Sequence, residues 1–395
     1  MSLAKKTYLF SAVLIITGQL ILFLCLTLIG RKFGPAALGD FNLNLCLGSL
    51  IGTLLALRYD LTCLNSTIEE SYQSLVNSIA ISALAYFILY SAALFFNNEL
   101  FEKILPFSLI FIIQQTLTNY FCRNGNFIIT GSAKAAANLI FFIFLNFKEI
   151  TNQEEIFKAY TLINIILTVL IILPLYKRGS LKAPKMEFYK KNINFPKYTL
   201  PATLLNSSLV YSIPIFTPNL FGALTAGYIA AAHRFGSFPV SLVAQTINGI
   251  FSREASLSIK NKEILKTYKK FSKFLFLIAA LYILFGLTFF NSAVQLTMGD
   301  EWQQATKIFY ILAPTFSLQI IYIPLSQIFI ITDSQKTDFS IQLFIFIGSS
   351  SSLTIAYLTN LNATITLALF SLFTATALLT GIRQSYKAAK NSEVK

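Results

Sequence analysis

The chain has 395 residues, of which 55% are hydrophobic and 12% charged, and its net charge is +14. Soluble domains carry roughly 25% charged residues, and a water-soluble fold of this length has no single core that hides so much apolar surface. An ordinary soluble enzyme or binding domain is therefore excluded, and an integral membrane protein is expected. A nucleic-acid partner is a poor reading of the charge, because the basic residues gather in the connections between apolar segments.

A window of about 19 residues set against a hydrocarbon layer of about 30 Å predicts twelve spanning helices. They fall near 8–29, 41–64, 75–96, 101–121, 127–147, 156–176, 199–220, 223–251, 272–294, 303–331, 339–359 and 362–382. Lys134 and a run of small residues dilute the fifth, so an eleven-helix reading stands beside this one. The first segment is too long for the apolar core of a signal peptide and lacks a small-residue cleavage site, so it is expected to remain as a helix.

The segments form two series. Phe33-Gly34 followed by Gly39 returns as Phe221-Gly222 followed by Gly227, at an offset of 188 residues, and each copy starts just after the first segment of its series and leads straight into the second. Such a duplication suits a transporter made of two parallel six-helix repeats. The predicted organisation is an N-terminal bundle over 1–176, a basic linker over 177–198 and a C-terminal bundle over 199–395, with Pro184 and Pro196 keeping the linker from continuing the helix before it. Pro201, Pro214, Gly236, Pro239, Pro314 and Pro324 fall inside spanning segments. They read as bending positions of a transporter or as the ordinary Pro and Gly content of membrane helices.

Lys and Arg set the orientation. The linker carries Lys177, Arg178, Lys182, Lys185, Lys190, Lys191 and Lys197 against Glu187, and the connection after the eighth segment carries Arg253, Lys260, Lys262, Lys266, Lys269, Lys270 and Lys273 against Glu254 and Glu263. Both are expected to be cytoplasmic, and both termini with them. Glu69 and Glu70, without a lysine, do not support the rule in the second connection. The excess positive charge also suits contact with anionic lipid headgroups.

Little in the chain suggests catalysis or a bound cofactor. Cys25, Cys46, Cys63 and Cys122 lie in or beside apolar segments without metal-binding or redox spacing, and read as packed free thiols. There is one histidine, no phosphate loop, no nucleophile elbow and no large extramembrane domain, so no catalytic residue, metal or cofactor is expected.

The chemistry lies in the charges that interrupt apolar segments. Arg58 and Asp60 fall in the second, Arg123 closes the fourth, His233 and Arg234 fall in the eighth, and Arg253 and Glu254 close it. An Arg at the centre of a membrane helix costs on the order of 3 kcal/mol, so these residues are expected to face a hydrated, cationic cavity between the halves. Two residues apart on a helix, Arg58 and Asp60 point to different sides, which makes Asp60 a poor neutraliser of Arg58. Arg234 has no acid within a helical turn. Excess Arg in such a cavity suits a phosphate-bearing ligand. The competing reading, strongest for Arg253 and Arg123, is snorkelling to the headgroups. His233 reads as a proton-coupling group or as a structural one.

Phe195-Pro196-Lys197-Tyr198, Leu200-Pro201, Leu204-Leu205-Asn206, Phe221-Gly222, Gly227-Tyr228, Arg234, Pro239 and the run from Gln245 to Ser256 resemble the polysaccharide-exporter (O-antigen flippase) members of the multidrug/oligosaccharidyl-lipid/polysaccharide flippase superfamily. Gly299, Trp302, Ala305, Pro314 and Pro324-Leu325-Ser326 match as well, as do Arg31, Gly34, Gly39 and Leu57-Arg58-Tyr59-Asp60, where the family usually has Glu in place of Asp60. The resemblance covers almost the whole chain and is specific for the family, not for a substrate. It implies an all-α integral membrane protein of the bacterial inner membrane, with about twelve transmembrane helices around a central cationic cavity lined by Arg58 and Arg234.

The function it implies is alternating-access flipping of undecaprenyl-diphosphate-linked oligosaccharides. Membrane lipids are expected around it, a polysaccharide polymerase and a chain-length regulator are expected partners, and a monomer is expected. Gln19, Asn206, Gln245, Asn248 and Gln319 are the candidate sugar contacts. A cation-coupled multidrug exporter of the same superfamily is the alternative, with Asp60 as its one mid-helix carboxylate. A membrane-embedded polymerase or acyltransferase is the alternative from another class, and it lacks the outer loop such enzymes need.

Overall fold

The computed structural model describes residues 3–65, 68–123, 127–147, 154–176, 186–260, 263–332 and 334–394. Among them every regular element is a helix: α1 (Leu3–Leu55), α2 (Thr62–Asn65), α3 (Ile68–Phe95), α4 (Glu99–Arg123), α5 (Phe127–Phe147), α6 (Glu154–Tyr176), α7 (Met186–Lys191), α8 (Leu200–Lys260), α9 (Ile264–Met298), α10 (Gln303–Leu325), α11 (Ile328–Ile331), α12 (Gln335–Thr359) and α13 (Ala363–Val394). In a bilayer each backbone N–H and C=O must bond within its own segment, which leaves a chain this apolar little but helix.

Nine helical runs among the described residues are long and apolar enough to cross a membrane, and Gly131–Phe147 is a shorter apolar helix. The difference from the twelve expected segments has a simple cause. Ile16–Leu55 and Tyr211–Ser252 have 40 and 42 residues. As straight helices they would measure about 60 Å, twice the hydrocarbon thickness. Each is broken at one residue: Gly34 takes φ 83° and ψ 179°, Gly222 takes φ 81° and ψ 163°. That region of backbone space is open essentially to glycine alone. Taken over their full lengths, α1 and α8 thus each supply two arms of spanning length, and the two glycines of the repeated pattern occupy the same unusual conformation.

The chain divides into two compact units, residues 1–33 with 40–204, and residues 34–39 with 205–395. In the first, α4 packs against α3, α5 and α6, and α5 against α6. Its centre is aromatic: Phe41 stacks on Phe141 at 5.7 Å, Tyr160 meets Phe141 edge-on at 4.9 Å, and Phe107 meets Phe157 at 5.3 Å. Several polar side chains inside this apolar unit find each other or a backbone carbonyl. Gln114 Nε2 donates to Asn164 Oδ1 at 3.1 Å and to Thr168 Oγ1 at 2.9 Å, and Asn138 Nδ2 donates to Gly18 O at 2.8 Å.

In the second unit α10 packs against α9 and α13, and α12 against α13. The Thr315 hydroxyl lies 3.0 Å from that of Ser371 and 3.1 Å from that of Thr374, and Tyr268 Oη lies 2.7 Å from Ser385 Oγ. The second glycine of each repeated pattern has a steric role here. A Cβ on Gly39 would stand 3.0 Å from both Ala223 O and Gly227 N, and one on Gly227 would collide with the Pro35 carbonyl. Outward faces of several helices carry large apolar side chains, such as Phe87, Leu170, Leu284 and Leu372, which suits a lipid solvent.

Candidate functional site

The second predicted segment was expected to run as one helix through Leu64. It ends at Leu55 instead, and a turn follows in which Leu57 (φ 49°) and Arg58 (φ 63°) are both left-handed, before one 3₁₀ turn over Tyr59–Leu61. Left-handed backbone costs a non-glycine residue roughly 1–2 kcal/mol, so neighbours must hold the turn. Thr62 Oγ1 donates to Tyr59 O at 2.6 Å and Ser78 Oγ to the same oxygen at 2.8 Å, while Asn119 Nδ2 from α4 donates to Asp60 O at 3.1 Å and to Asp60 Oδ2 at 3.2 Å.

This turn overturns the expectation that Asp60 does not neutralise Arg58. Arg58 Nη1 lies 3.5 Å from Asp60 Oδ2. On a helix the two side chains would diverge; the left-handed backbone at Arg58 turns them together. Asp60 is fully buried and Arg58 keeps 16% of its side chain exposed. Asp60 Oδ1 and Arg58 Nε have no hydrogen-bond partner among the described residues. Burial pushes the Asp60 carboxyl above the usual carboxylate range, opposed by the Arg58 charge and the Asn119 hydrogen bond. Beside it the Cys63 thiol is pushed up to about 12 by burial and then by the Asp60 carboxylate, which makes it an unreactive packing group.

The same turn receives the short linker helix. Tyr189 of α7 donates to Asn77 O at 2.9 Å, Tyr59 donates to Tyr189 O at 3.3 Å, and the two rings meet edge-on at 5.3 Å. The linker residues 177–185 lie outside the described ones.

The remaining expected residues are distributed as follows. His233 is buried in α8 with its ring against Phe316 at 5.6 Å, and Arg234 beside it is half-buried. Arg123, the last residue of α4, is exposed. Gln19 and Asn248 are half-buried, and Gln19 Oε1 and Asn248 Oδ1 are buried oxygens without a hydrogen-bond partner among the described residues. Gln319 is half-buried, whereas the side chains of Asn206, Gln245 and Arg253 lie outside the described ones. No three His, Cys, Asp or Glu side chains among the described residues come together as a metal site requires.

One charged site escaped the sequence reading. Asp60 is not the only carboxylate in an apolar segment, because Asp40 lies within α1, where its Oδ2 accepts from Lys103 Nζ at 3.0 Å and from Asn44 Nδ2 at 3.0 Å. The predicted segment began at residue 41 and so left Asp40 in a connection. An available signal was its place directly after Gly39 of the repeated pattern, with Lys103 as the lone cation early in the fourth segment.

No protein-family model matches the sequence, and no curated protein matches it either. Solved structures do match in fold. An inward-facing multidrug resistance MATE family transporter of the MOP superfamily matches at a TM-score of 0.69 and 14% identity, over 95% of this chain and 96% of that one. The lipid II flippase MurJ in an inward closed conformation matches at 0.66 and 14% identity, over 99% and 91%. A MOP superfamily transporter from Pyrococcus furiosus matches at 0.65 and 13% identity, over 98% and 96%. The chain therefore has, along nearly its whole length, the all-helical membrane fold of the MATE and MurJ structures.

Proposed function

We propose that the protein carries undecaprenyl-diphosphate-linked oligosaccharides, such as O-antigen or capsule repeat units, from the cytoplasmic to the periplasmic face of a bacterial inner membrane. The observation that carries this reading is that, among the described residues, Arg58 Nε, Gln19 Oε1 and Asn248 Oδ1 are buried polar atoms without a hydrogen-bond partner. Such atoms are costly to bury and are retained where a ligand or water completes them. A guanidinium N–H suits a diphosphate oxygen; an amide oxygen suits a sugar hydroxyl. Arg234, half-buried in α8, is the second headgroup candidate. A fold shared with a lipid II flippase supports a lipid-linked substrate, and the basic Lys190, Lys191, Lys266, Lys269 and Lys270 support cytoplasmic connections.

The second reading is a cation-coupled multidrug exporter. It is favoured by the buried Asp60 carboxyl, whose Oδ1 has no hydrogen-bond partner among the described residues, and disfavoured by the Arg58 charge already set against that carboxylate.

The test is surface-glycan staining in a bacterial strain lacking its own flippase, with membrane abundance measured in parallel. Arg234→Ala is expected to lower export at least tenfold at normal abundance, and Arg234→Lys to restore part of it, since Lys keeps the charge and loses the fork of donors. Arg58→Ala is combined with Asp60→Asn, because removing Arg58 alone strands a buried carboxylate. Normal export from the combined Arg58→Ala, Asp60→Asn, Arg234→Ala chain at wild-type abundance would sink the headgroup assignment.

A further inference from the structure

One end of α9 carries a basic stripe that the cargo reading leaves unused. Ile264, Tyr268, Phe271 and Leu275 are the buried side of this end, and Tyr268 Oη is held at 2.7 Å to Ser385 Oγ of α13. Lys266, Lys269, Lys270 and Lys273 stand away from that side, all exposed, and with Leu265 they line a concavity of about 470 Å³. Glu263 accepts from Lys266 at 3.2 Å and Glu254 from Lys270 at 3.5 Å; both pairs are exposed, and pairs of that kind hold loosely. Lys269 and Lys273 have no carboxylate partner among the described residues.

Orienting the chain needs lysines somewhere in the connection. It does not need them on one face. Gathered there, Lys266 repels Lys270 and Lys269 repels Lys273, each four residues on. Lys266 also stands in the first turn of α9, where the helix dipole favours an anion and no acid is present. An anion in the concavity relieves both.

Depth identifies the source of that anion. The large exposed side chains that follow on α9, Phe274, Leu277, Leu281 and Leu284, are apolar, so the hydrocarbon begins beside Lys273. At 1.5 Å per residue Lys269 is about 6 Å from Lys273 along the helix. The headgroup layer is about 5–8 Å deep on each side, the remainder when a hydrocarbon core of roughly 30 Å is taken from a bilayer of roughly 40–45 Å. Lys269, Lys270 and Lys273 therefore stand at the level of lipid phosphates, with apolar side chains directly below. A soluble anion would use the ammonium groups alone; an amphiphile uses both.

We propose that this stripe binds the phosphate headgroups of anionic phospholipids in the adjoining leaflet. Acyl tails of every lipid in that leaflet fit the apolar side chains below, so selection is by charge. A zwitterionic headgroup brings its own cation into the concavity, and an anionic one does not. The site is independent of the cargo proposed above, and it ties the seating of α9 to the anionic lipid content of the membrane.

The test places the full-length protein in phosphatidylcholine vesicles with a minor fraction of phosphatidylglycerol bearing a headgroup diazirine, followed by photolysis and mapping of adducts by mass spectrometry. Adducts are expected within 265–273. Each lysine at an anionic surface strengthens binding roughly fivefold, so Lys269→Gln with Lys273→Gln is expected to lower these adducts at least fivefold. Arg383→Gln with Lys387→Gln is the control, since it removes two exposed cations of α13 that do not line the concavity, and it is expected to leave them unchanged. Inorganic diphosphate in excess is expected not to displace the lipid. Equal labelling by a headgroup-diazirine phosphatidylcholine, or adducts unchanged by the Lys269, Lys273 pair, would overturn the proposal. An equal fall in the control would reduce the stripe to general surface charge, and displacement by diphosphate would make it a site for soluble anions; either result also overturns it.

Discussion

Asp60 shows how a single residue is set by its surroundings. Its carboxyl is fully buried and raised above the usual range, chiefly by desolvation. A carboxyl whose folded value is raised binds protons more readily in the folded state, so its stabilising contribution is complete below the unfolded value and is lost as pH rises through the folded one. Thermal melts of the detergent-purified protein are expected to show that decline upward from about pH 4, and Asp60→Asn is expected to flatten it. A melt profile of Asp60→Asn parallel to wild type across this range would contradict the assignment. Arg58→Ala alone is expected to cost about 3–5 kcal/mol, because it leaves the carboxylate uncompensated, and adding Asp60→Asn should recover part of the loss. The sequence displayed both residues but not their pairing. The i, i+2 separation argues against contact only on a helix, and the turn that brings them together depends on Asn119 and Ser78, which lie 59 and 18 residues further along.

At the scale of elements, the repeated glycines were legible and their conformation was not. Spacing alone marked Gly34 and Gly222 as equivalent, but the sequence window placed loops around them, whereas each is a one-residue break between helical arms. No atom lies within 4 Å of a Cβ added at either, so Ala there meets only backbone strain, about 1–3 kcal/mol per site. Gly34→Ala and Gly222→Ala are each expected to lower the thermal midpoint and membrane abundance by similar amounts. A loss at one glycine with none at the other would contradict their equivalence. Gly227→Ala adds a collision with the Pro35 carbonyl and is expected to cost more than either. The short α7 was missed altogether, since six residues in a basic linker show no apolar period; its anchor is one tyrosine. Tyr189→Phe removes the hydrogen bond to Asn77 O and is expected to cost about 1 kcal/mol, read as a small drop in the same melt.

For the whole molecule, hydropathy sufficed to give the all-helical membrane class, and the positions of Lys and Arg give an orientation that labelling can check. In a cysteine-free chain, cysteines at 190 and 266 are expected to react only from the cytoplasm and one at 300 only from outside. Labelling of position 190 by an impermeant reagent in intact cells would reverse the topology. The fold alone does not choose between the substrates named for the solved structures that share it, because MATE transporters and the MurJ flippase both have it; the proposed function rests that choice on side chains such as Arg58, Arg234 and Gln19. The most direct measurement of it is transport by the purified protein in vesicles. A fluorescent undecaprenyl-diphosphate oligosaccharide is placed in one leaflet, and its exposure to an impermeant quencher is followed over time beside that of a cationic dye. The flippase reading predicts that the protein redistributes the glycolipid between leaflets, that Arg234→Ala slows this at least tenfold, and that the dye stays where it was placed. Movement of the dye with no movement of the glycolipid would contradict it and establish the exporter reading instead.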